Sequence, residues 1–210
     1  AGSYLLTPEE LGNLRVLTTY FKQVAVLLNV SNIIDMSWVS DPAYQGRICS
    51  VLYIWQGGME GGHAVADLLS GKVSPSGKLT DTIAGSLADY PSANDFGDMV
   101  RNFYTEDIYV GYRYFETFCP EKVLYEFGFG LSYTDFTIEI LEAGTKECGK
   151  KVQITVQVKN TGNFKGKEVV QVYVEAPQGA LGKPVRELKA FTKTKELEPG
   201  EVQQLTLDIP

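Results

Sequence analysis

The sequence is poor in the residues that metal centres, disulfide frameworks and membrane spans require. One histidine, His63, and three cysteines occur among 210 residues, and no apolar run approaches the roughly eighteen residues of a membrane-spanning helix. A lone histidine lacks the partners for a zinc cluster or a Ser-His-Asp relay, which favours a helix-surface or packing role. The widely spaced Cys49, Cys119 and Cys148 are typical of reduced, mostly packed thiols. We therefore expect no metal, no membrane partner and a cytoplasmic location.

Basic charge is also scarce. The 19 lysines and arginines against 26 aspartates and glutamates give a formal net charge of -7 and a pI near 4.8. Nucleic-acid binders concentrate positive charge on one face, so this composition argues against a nucleic-acid partner. The first residues also lack the charged-then-apolar layout of a secretory signal. With 44% hydrophobic residues, the chain has the composition of an ordinary globular protein.

The first helix has a well-defined start signal. Thr7 and Glu10 can form a capping box around Pro8, which is favourable at the first helical position. Apolar residues then recur at helical spacing and predict the inner face of the helix: Leu11, Leu14, Leu17 and Phe21.

An α/β pattern follows this helix. Continuous apolar runs at residues 24–28 and 48–55 are typical of parallel strands that are covered on both faces. A short helix or turn is predicted at residues 33–39, and helical spacing returns at residues 61–69. This order predicts a layered α/β/α sandwich domain with a mostly parallel sheet.

The middle of the chain is less regular. Proline and acidic residues mark residues 86–102 as an irregular stretch, and residues 108–115 have the appearance of an extended segment. Two glycines among aromatic residues at 125–134 are typical of a tightly packed interdomain connector. We place the end of the α/β domain, residues 1–131, close to Leu131.

From residue 132 the hydrophobic period changes to two. Alternation and turn signals such as Asn160-Thr-Gly162 predict strands at 136–141, 151–159, 168–175, 187–193 and 202–208. An immunoglobulin-like β-sandwich commonly needs about seven strands. The second domain, residues 132–210, is therefore predicted to be such a sandwich, incomplete at its C-terminal end. Its open edges should make the isolated chain aggregate.

Residues 53–79 are the most informative stretch of the chain. They combine a strand end, four glycines, a helix and a Ser-Pro-Ser-Gly turn, and steric permission at the turn is the preferred explanation for Gly57, Gly58, Gly61 and Gly62. No Gly-Lys-Ser/Thr ending or dinucleotide spacing supports a phosphate loop. The stretch closely resembles the Gly-Gln-Glu-Gly-Gly and Asn-Pro-Ser-Gly-Lys-Leu motifs of family 3 glycoside hydrolases, with Met59 where glutamine is usual.

Further motifs follow in the order of that family. Residues 104–115 and 127–133 resemble its second α/β domain. Val158-Lys-Asn-Thr-Gly162, residues 166–173 and residues 186–191 resemble the fibronectin type III-like domain that follows in many of its β-glucosidases.

The resemblance implies part of a retaining, exo-acting β-glycosidase, foremost a β-glucosidase acting on β-glucosides or short β-linked oligosaccharides. It places an aspartate nucleophile on a separate β/α barrel domain and a glutamate acid/base on a loop upstream of the helix near Pro8. Neither motif matches a position here, so no catalytic residue is assigned to this chain. Retaining hydrolysis needs two carboxyl groups roughly 5–5.5 Å apart. The segment alone should therefore be inactive, and no cofactor is expected.

A few charged and aromatic residues are candidates for functional roles. Glu60 lies at a helix start, where a carboxylate is stabilised as an anion, so a structural role is favoured over that of a proton donor. Glu106, Arg113 and Tyr104 lie among tyrosines that could line a sugar pocket. The same mixture suits a wet domain interface, which we favour.

Other functions stay open at this stage. A non-catalytic carbohydrate-binding or assembly module would retain the fold without the catalytic carboxylates, and β-xylosidase specificity is compatible with the same motifs. An independent flavodoxin-like binding protein fits the α/β pattern but lacks a phosphate loop.

Overall fold

The computed structural model describes residues 4–95, 97–149 and 151–209. Its internal contacts divide the chain into two units. One comprises the chain up to Val65 together with Thr80–Phe127, and the other comprises Ala66–Leu79 together with the chain from Gly128 onward. None of the helices in the described ranges is long and apolar enough to cross a membrane.

Helix α1 (Pro8–Tyr20) begins at the predicted capping box. The Thr7 hydroxyl accepts a hydrogen bond from the Glu10 amide at 3.2 Å, and the Glu10 carboxylate accepts one from the Thr7 amide at 2.8 Å. The predicted inner face is only partly correct, because Leu14 is buried whereas Leu17 and Phe21 are exposed. Phe21 already has extended backbone and lies beyond the helix. The buried row instead runs from Leu14 to Thr18.

Strands β1 (Val24–Leu28) and β2 (Ile48–Tyr53) pair in parallel, as predicted. The second strand ends earlier than expected, since the backbone of Trp55 enters the left-handed region with φ 51°. The predicted cover on both faces is wrong for the described residues, because Ala25 and Leu27, which alternate along β1 and share one face of the sheet, are both exposed.

Helix α2 (Gly61–Leu69) occupies the predicted residues. Strands β3 (Ile83–Ala84) and β4 (Val123–Tyr125) form a short antiparallel pair that the sequence did not indicate. The irregular character predicted for residues 86–102 is confirmed in the described part of that stretch, where the regular structure consists of short 3₁₀ turns. The 3₁₀ turns of the described chain lie at Ser37–Ser40, Pro42–Tyr44, Leu87–Asp89, Pro91–Asn94, Pro120–Lys122 and Glu147–Gly149.

Helix α3 (Tyr112–Phe118) contradicts the extended segment predicted at residues 108–115. Its tyrosines and phenylalanines have high strand propensity, which depends strongly on packing. Here Phe115 and Cys119, one helical turn apart, are both buried in a cluster with Ala84. Burial of that helical stripe decides the conformation.

The cysteines agree only in part with the prediction of packed, reduced thiols. Cys119 is buried and Cys49 is exposed, and both are free. Exposure of Cys49 contradicts the expectation for that residue, which the register shift between β1 and β2 leaves without a pairing partner on β1. The prediction for Cys148 concerns a side chain outside the described residues.

The five predicted strands of the second domain are present. They are β5 (Phe136–Lys146), β6 (Lys151–Asn160), β7 (Val169–Val174), β8 (Glu187–Lys193) and β9 (Val202–Ile209). Two antiparallel sheets result, with strand orders β5-β6-β9 and β7-β8. β5 is longer than expected because a register shift between Ile140 and Glu142 lets it continue along β6.

Alternating side chains from both sheets form the core of this sandwich. Its buried members are Val156, Val158, Val170, Leu197 and Leu207. The fully buried Asn160 side chain donates to the carbonyls of Phe164 and Leu197 at 2.7 and 2.9 Å and accepts from the Thr134 hydroxyl at 2.7 Å. A buried amide with its partners in place fixes the predicted turn after β6.

Candidate functional site

The carboxyl ends of β1 and β2 are the first candidate location, because ligands of parallel sheets commonly bind there. The Tyr53 hydroxyl accepts from the Ile34 amide and donates to the Asn32 carbonyl, both at 2.9 Å. These bonds tie the loop after β1 to the end of β2, and burial raises the pKa of Tyr53. The Trp55 ring lies 4.5 Å from the Tyr53 ring, centroid to centroid.

The glycine-rich corner between β2 and α2 is built differently from the prediction. A Cβ atom on Gly57 would lie 3.0 Å from the Gly61 Cα atom, so a side chain there would crowd the Gly61 backbone and glycine is favoured. At Gly58, Gly61 and Gly62 an added Cβ would meet nothing within 4 Å, and none of the three has positive φ. Steric permission therefore explains Gly57 and does not explain the other three.

Glu60 and His63 form a pair on the surface of this corner. The Glu60 Oε2 and His63 Nδ1 atoms are 2.5 Å apart, and both side chains are exposed. This geometry agrees with the structural role favoured for Glu60 and with a helix-surface position for His63. In the described ranges, no group of three or more His, Cys, Asp or Glu side chains could hold a metal ion.

The three predicted pocket or interface residues lie around one turn and the following helix. Tyr104 is 88% exposed, and its carbonyl accepts from the Asp107 amide at 3.1 Å. Glu106 is half-buried, and its carbonyl accepts from the Tyr109 amide at 2.8 Å. Arg113 is half-buried on α3, with its guanidinium 5.9 Å from the centre of the Tyr112 ring.

Neighbouring tyrosines of this stretch pack against other rings. Tyr112 stacks on Phe127 with centroids 4.9 Å apart, and Tyr109 lies edge-on to Phe118 at 4.8 Å. Such ring pairs stabilise a packed surface. Exposed Tyr104 differs from them, and the sugar-pocket or interface role of Tyr104, Glu106 and Arg113 stays a prediction.

Another tyrosine, Tyr90, makes hydrogen bonds at β3 within the same unit. Its hydroxyl accepts from the Ala84 amide at 2.9 Å and donates to the Thr82 carbonyl at 3.1 Å. Burial raises its pKa, and its ring lies edge-on to Phe115 at 5.4 Å. These contacts attach β3 to helix α3.

The end of the glycine-rich motif, residues 74–79, forms a strap on the β-sandwich, which sequence reasoning missed. Lys78 lies 2.9 Å from the Glu168 carboxylate and donates to the Gly130 carbonyl at 2.7 Å. Lys193 donates to the Ser76 carbonyl at 2.9 Å. Local sequence carries no signal for such bonds, because the partners follow many residues later.

Two glycines of the predicted connector accommodate this strap and the adjoining strand. A Cβ atom on Gly130 would lie 2.3 Å from the Gly77 carbonyl oxygen, and one on Gly128 would lie 2.5 Å from the Gln171 side chain. Gly128 also has φ +84°. The tight packing predicted from glycines among aromatic residues is confirmed at these two positions.

Comparison with known families identifies both parts of the chain. Residues 3–133 match the glycosyl hydrolase family 3 C-terminal domain, and residues 168–210 match a fibronectin type III-like domain. The chain belongs to family 3 of the glycosyl hydrolases. The α/β and sandwich parts described above are the domains that the family 3 resemblance implied.

Three similar proteins carry the same activity in their names. A β-glucosidase from Ruminococcus albus is 49% identical over the full chain, which covers 21% of that protein. A solved β-glucosidase structure from Paenibacillus barengoltzii is 60% identical with a TM-score of 0.97, and this chain covers 23% of it. β-glucosidase 3B from Thermotoga neapolitana, solved with α-D-glucose, is 39% identical with a TM-score of 0.87, and this chain covers 29% of it.

Proposed function

We propose that this chain is part of a retaining, exo-acting β-glucosidase that removes terminal β-linked glucose from β-glucosides or short β-linked oligosaccharides. The observation that carries the proposal is the similarity to β-glucosidases through both units of the chain. The chain spans between a fifth and a third of the length of these relatives. Its proposed partner within the enzyme is a β/α barrel domain that holds the nucleophile.

The geometry supports a catalytic pair located outside these residues. Retaining hydrolysis needs an attacking carboxylate and a protonated carboxylic acid roughly 5–5.5 Å apart on either side of the glycosidic bond. Glu60, the carboxylate that the corner offers, is exposed and engaged with His63 on the helix surface. We assign it no catalytic step.

The test compares the full-length protein with residues 1–210 alone. The full-length protein should hydrolyse p-nitrophenyl β-D-glucoside, and the isolated segment should show no turnover. Proton NMR of the first product should show the β-anomer, as double displacement requires. The corresponding β-xyloside should react at least about tenfold more slowly, because a pocket built for the extra hydroxymethyl group loses contacts without it.

Each contrary result has a definite meaning. Turnover by residues 1–210 would refute the proposal that the catalytic pair lies outside these residues. The α-anomer as first product would refute retention. A faster β-xyloside reaction would replace the glucosidase assignment with a xylosidase. If the full-length protein hydrolyses neither substrate but binds glucose or cellobiose in calorimetric titration, the non-catalytic module is the better assignment.

A further inference from the structure

The residue that follows strand β2 has a backbone conformation that its side chain disfavours. Trp55 has φ 51°, in the left-handed region. The other non-glycine residues with positive φ in the described part of the chain are Gln45, Asp107 and Glu147, which are polar and lie in turns. Bulky side chains rarely adopt this region, and such strained residues cluster at active sites and ligand clamps. The conformation of Trp55 therefore points to a function.

Contacts before and beside Trp55 hold it in this conformation. The Ile54 amide donates to the Leu28 carbonyl at 3.0 Å and so continues the pairing of β2 with β1. The Tyr53 ring lies beside the indole, with the two centroids 4.5 Å apart. Tyr53 is itself fixed by the two hydrogen bonds of its hydroxyl to the loop after β1. The indole is thus held rigidly at the place where the two parallel strands end.

Core packing does not account for this indole. The other tryptophan of the chain, Trp38, is 5% exposed, and its Nε1–H donates to the Asp35 carbonyl at 2.8 Å. Such a bond is usual for a buried tryptophan. Trp55 is only half-buried, and the residues after it, 56–60, are exposed, with Met59 completely so. The indole therefore lies at an accessible surface of its unit.

We propose that the Trp55 ring is a platform on which a pyranose ring of a β-glucoside substrate stacks. The hydroxyl groups of β-linked glucose are equatorial, so that the two faces of the sugar ring present C–H groups and are apolar. An indole has two rotatable side-chain bonds and covers such a face at a small cost in entropy. The inference rests on the proposed function and names one substrate contact of that enzyme.

The location and a neighbouring carboxylate agree with a sugar contact. Ligands of parallel sheets commonly bind at the carboxyl ends of the strands. Burial raises the pKa of Tyr53, and the charge of nearby Asp81, which is exposed, adds to this increase. A carboxylate accepts strong hydrogen bonds, and ligand sites combine apolar surface with a few such polar groups. Trp55 and Asp81 both neighbour Tyr53 and offer this combination.

The first experiment separates sugar binding from a purely structural role of the ring in the full-length protein. Trp55→Gly removes the indole, and glycine adopts the left-handed region without strain. We expect its affinity for thiocellobiose, an S-linked analogue that resists hydrolysis, to fall about tenfold in calorimetric titration. Trp55→Phe keeps a smaller ring and should lose about threefold. The melting temperature of Trp55→Gly should stay close to that of the wild type, because relief of strain offsets the lost ring contact.

Gln45→Gly is the matched control. Gln45 has φ 52°, so this variant makes the same backbone change without removing an aromatic ring. Its affinity for thiocellobiose should equal that of the wild type. A loss as large as that of Trp55→Gly would assign the effect to the backbone and overturn the inference.

A second measurement needs no substitution in the protein that binds the sugar. The full-length protein is labelled with fluorotryptophan, and the fluorine NMR signal of Trp55 is identified by its absence from the Trp55→Phe spectrum. Saturation with thiocellobiose should shift this signal, because the sugar ring lies against the indole. An unmoved signal in the saturated protein would overturn the inference, whatever the stability of the variants.

The remaining outcomes distinguish this inference from the proposed function. Unchanged affinity in Trp55→Gly together with a lower melting temperature would show a structural role and overturn the inference, even if the enzyme hydrolyses β-glucosides. Absence of thiocellobiose binding by the wild-type protein would also overturn it. A full-length protein that binds thiocellobiose through Trp55 and hydrolyses no β-glucoside would leave the inference standing and refute the β-glucosidase assignment.

Discussion

At the scale of single residues, Lys72 and Lys78 show how burial sets the value of an ion pair. Lys78 and Glu168 are 18% and 16% exposed, whereas Lys72 and Asp67 are 71% and 38% exposed. Exposed pairs contribute little because water screens them and ordering the side chains costs entropy. The ion pair between Lys78 and Glu168 should therefore contribute more to the free energy of unfolding than the ion pair between Lys72 and Asp67.

We expect Lys78→Met to destabilise the full-length protein by about 2 kcal/mol, because Glu168 loses a charged partner in a poorly solvated position. The matched change Lys72→Met should cost less than about 0.5 kcal/mol. Denaturant unfolding gives the cost, and hydrogen exchange should locate the loss in the sandwich. Equal costs for the two variants would show that the strap contributes no more than a surface contact.

Two half-buried tyrosines of the first unit, Tyr53 and Tyr90, predict sensitivity to alkaline pH. Burial raises the pKa of Tyr53 and Tyr90 above the ordinary value of 10.0. A pKa raised on folding gives stability that is complete below the unfolded-state pKa and is lost as pH rises through the folded-state pKa. The free energy of unfolding should thus decline above about pH 10.

Tyr90→Phe should make that decline shallower, although it removes two hydrogen bonds and costs about 1 kcal/mol at neutral pH. Tyr104→Phe, at a position that is 88% exposed, is the matched control. Unfolding free energies between about pH 8 and 11, measured together with tyrosinate absorbance, provide the check. An unchanged slope in Tyr90→Phe would contradict the assigned role of this phenol.

At the scale of helices and strands, local signals succeeded where each residue's environment follows from its neighbours. The capping box at Thr7 fixes the start of α1, and strict alternation locates β6 and β9 because one face of each strand is buried. Helix α3 escaped detection because its conformation depends on a distant cluster around Ala84. Neither strand propensity nor hydrophobic periodicity carries information about that cluster.

Helix α3 offers a matched pair of phenylalanines for a stability test. Phe115 is buried and Phe118 is exposed on the same helix. Phe115→Ala should cost about 3–5 kcal/mol through lost burial and a residual cavity. Phe118→Ala should cost about 1 kcal/mol or less, reflecting its partial ring contacts. Thermal unfolding of the full-length protein measures both, and similar shifts would refute burial as the cause of this helix.

At the scale of the whole molecule, sequence patterns predicted the α/β and β-sandwich parts and did not predict which segments pack together. The Ser-Pro-Ser-Gly residues, 74–77, are predicted as a turn before the next extended segment, yet residues 74–79 lie on the sandwich. The site candidates show the same limit. Tyr104, Glu106 and Arg113 could be chosen by chemistry, but their roles depend on surfaces that sequence spacing does not determine.

The strap has a consequence for the time course of biosynthesis. Lys78 bonds to Glu168, and Ser76 bonds to Lys193, 117 residues later in the chain. At translation rates of about 5–20 residues per second, the ribosome needs roughly 5–20 s to deliver these partners. During that interval the ammonium group of Lys78 is solvated by water. Premature termination before Glu168 would leave Lys78 without this partner. Final attachment of the strap must therefore be a late event in the maturation of the nascent chain.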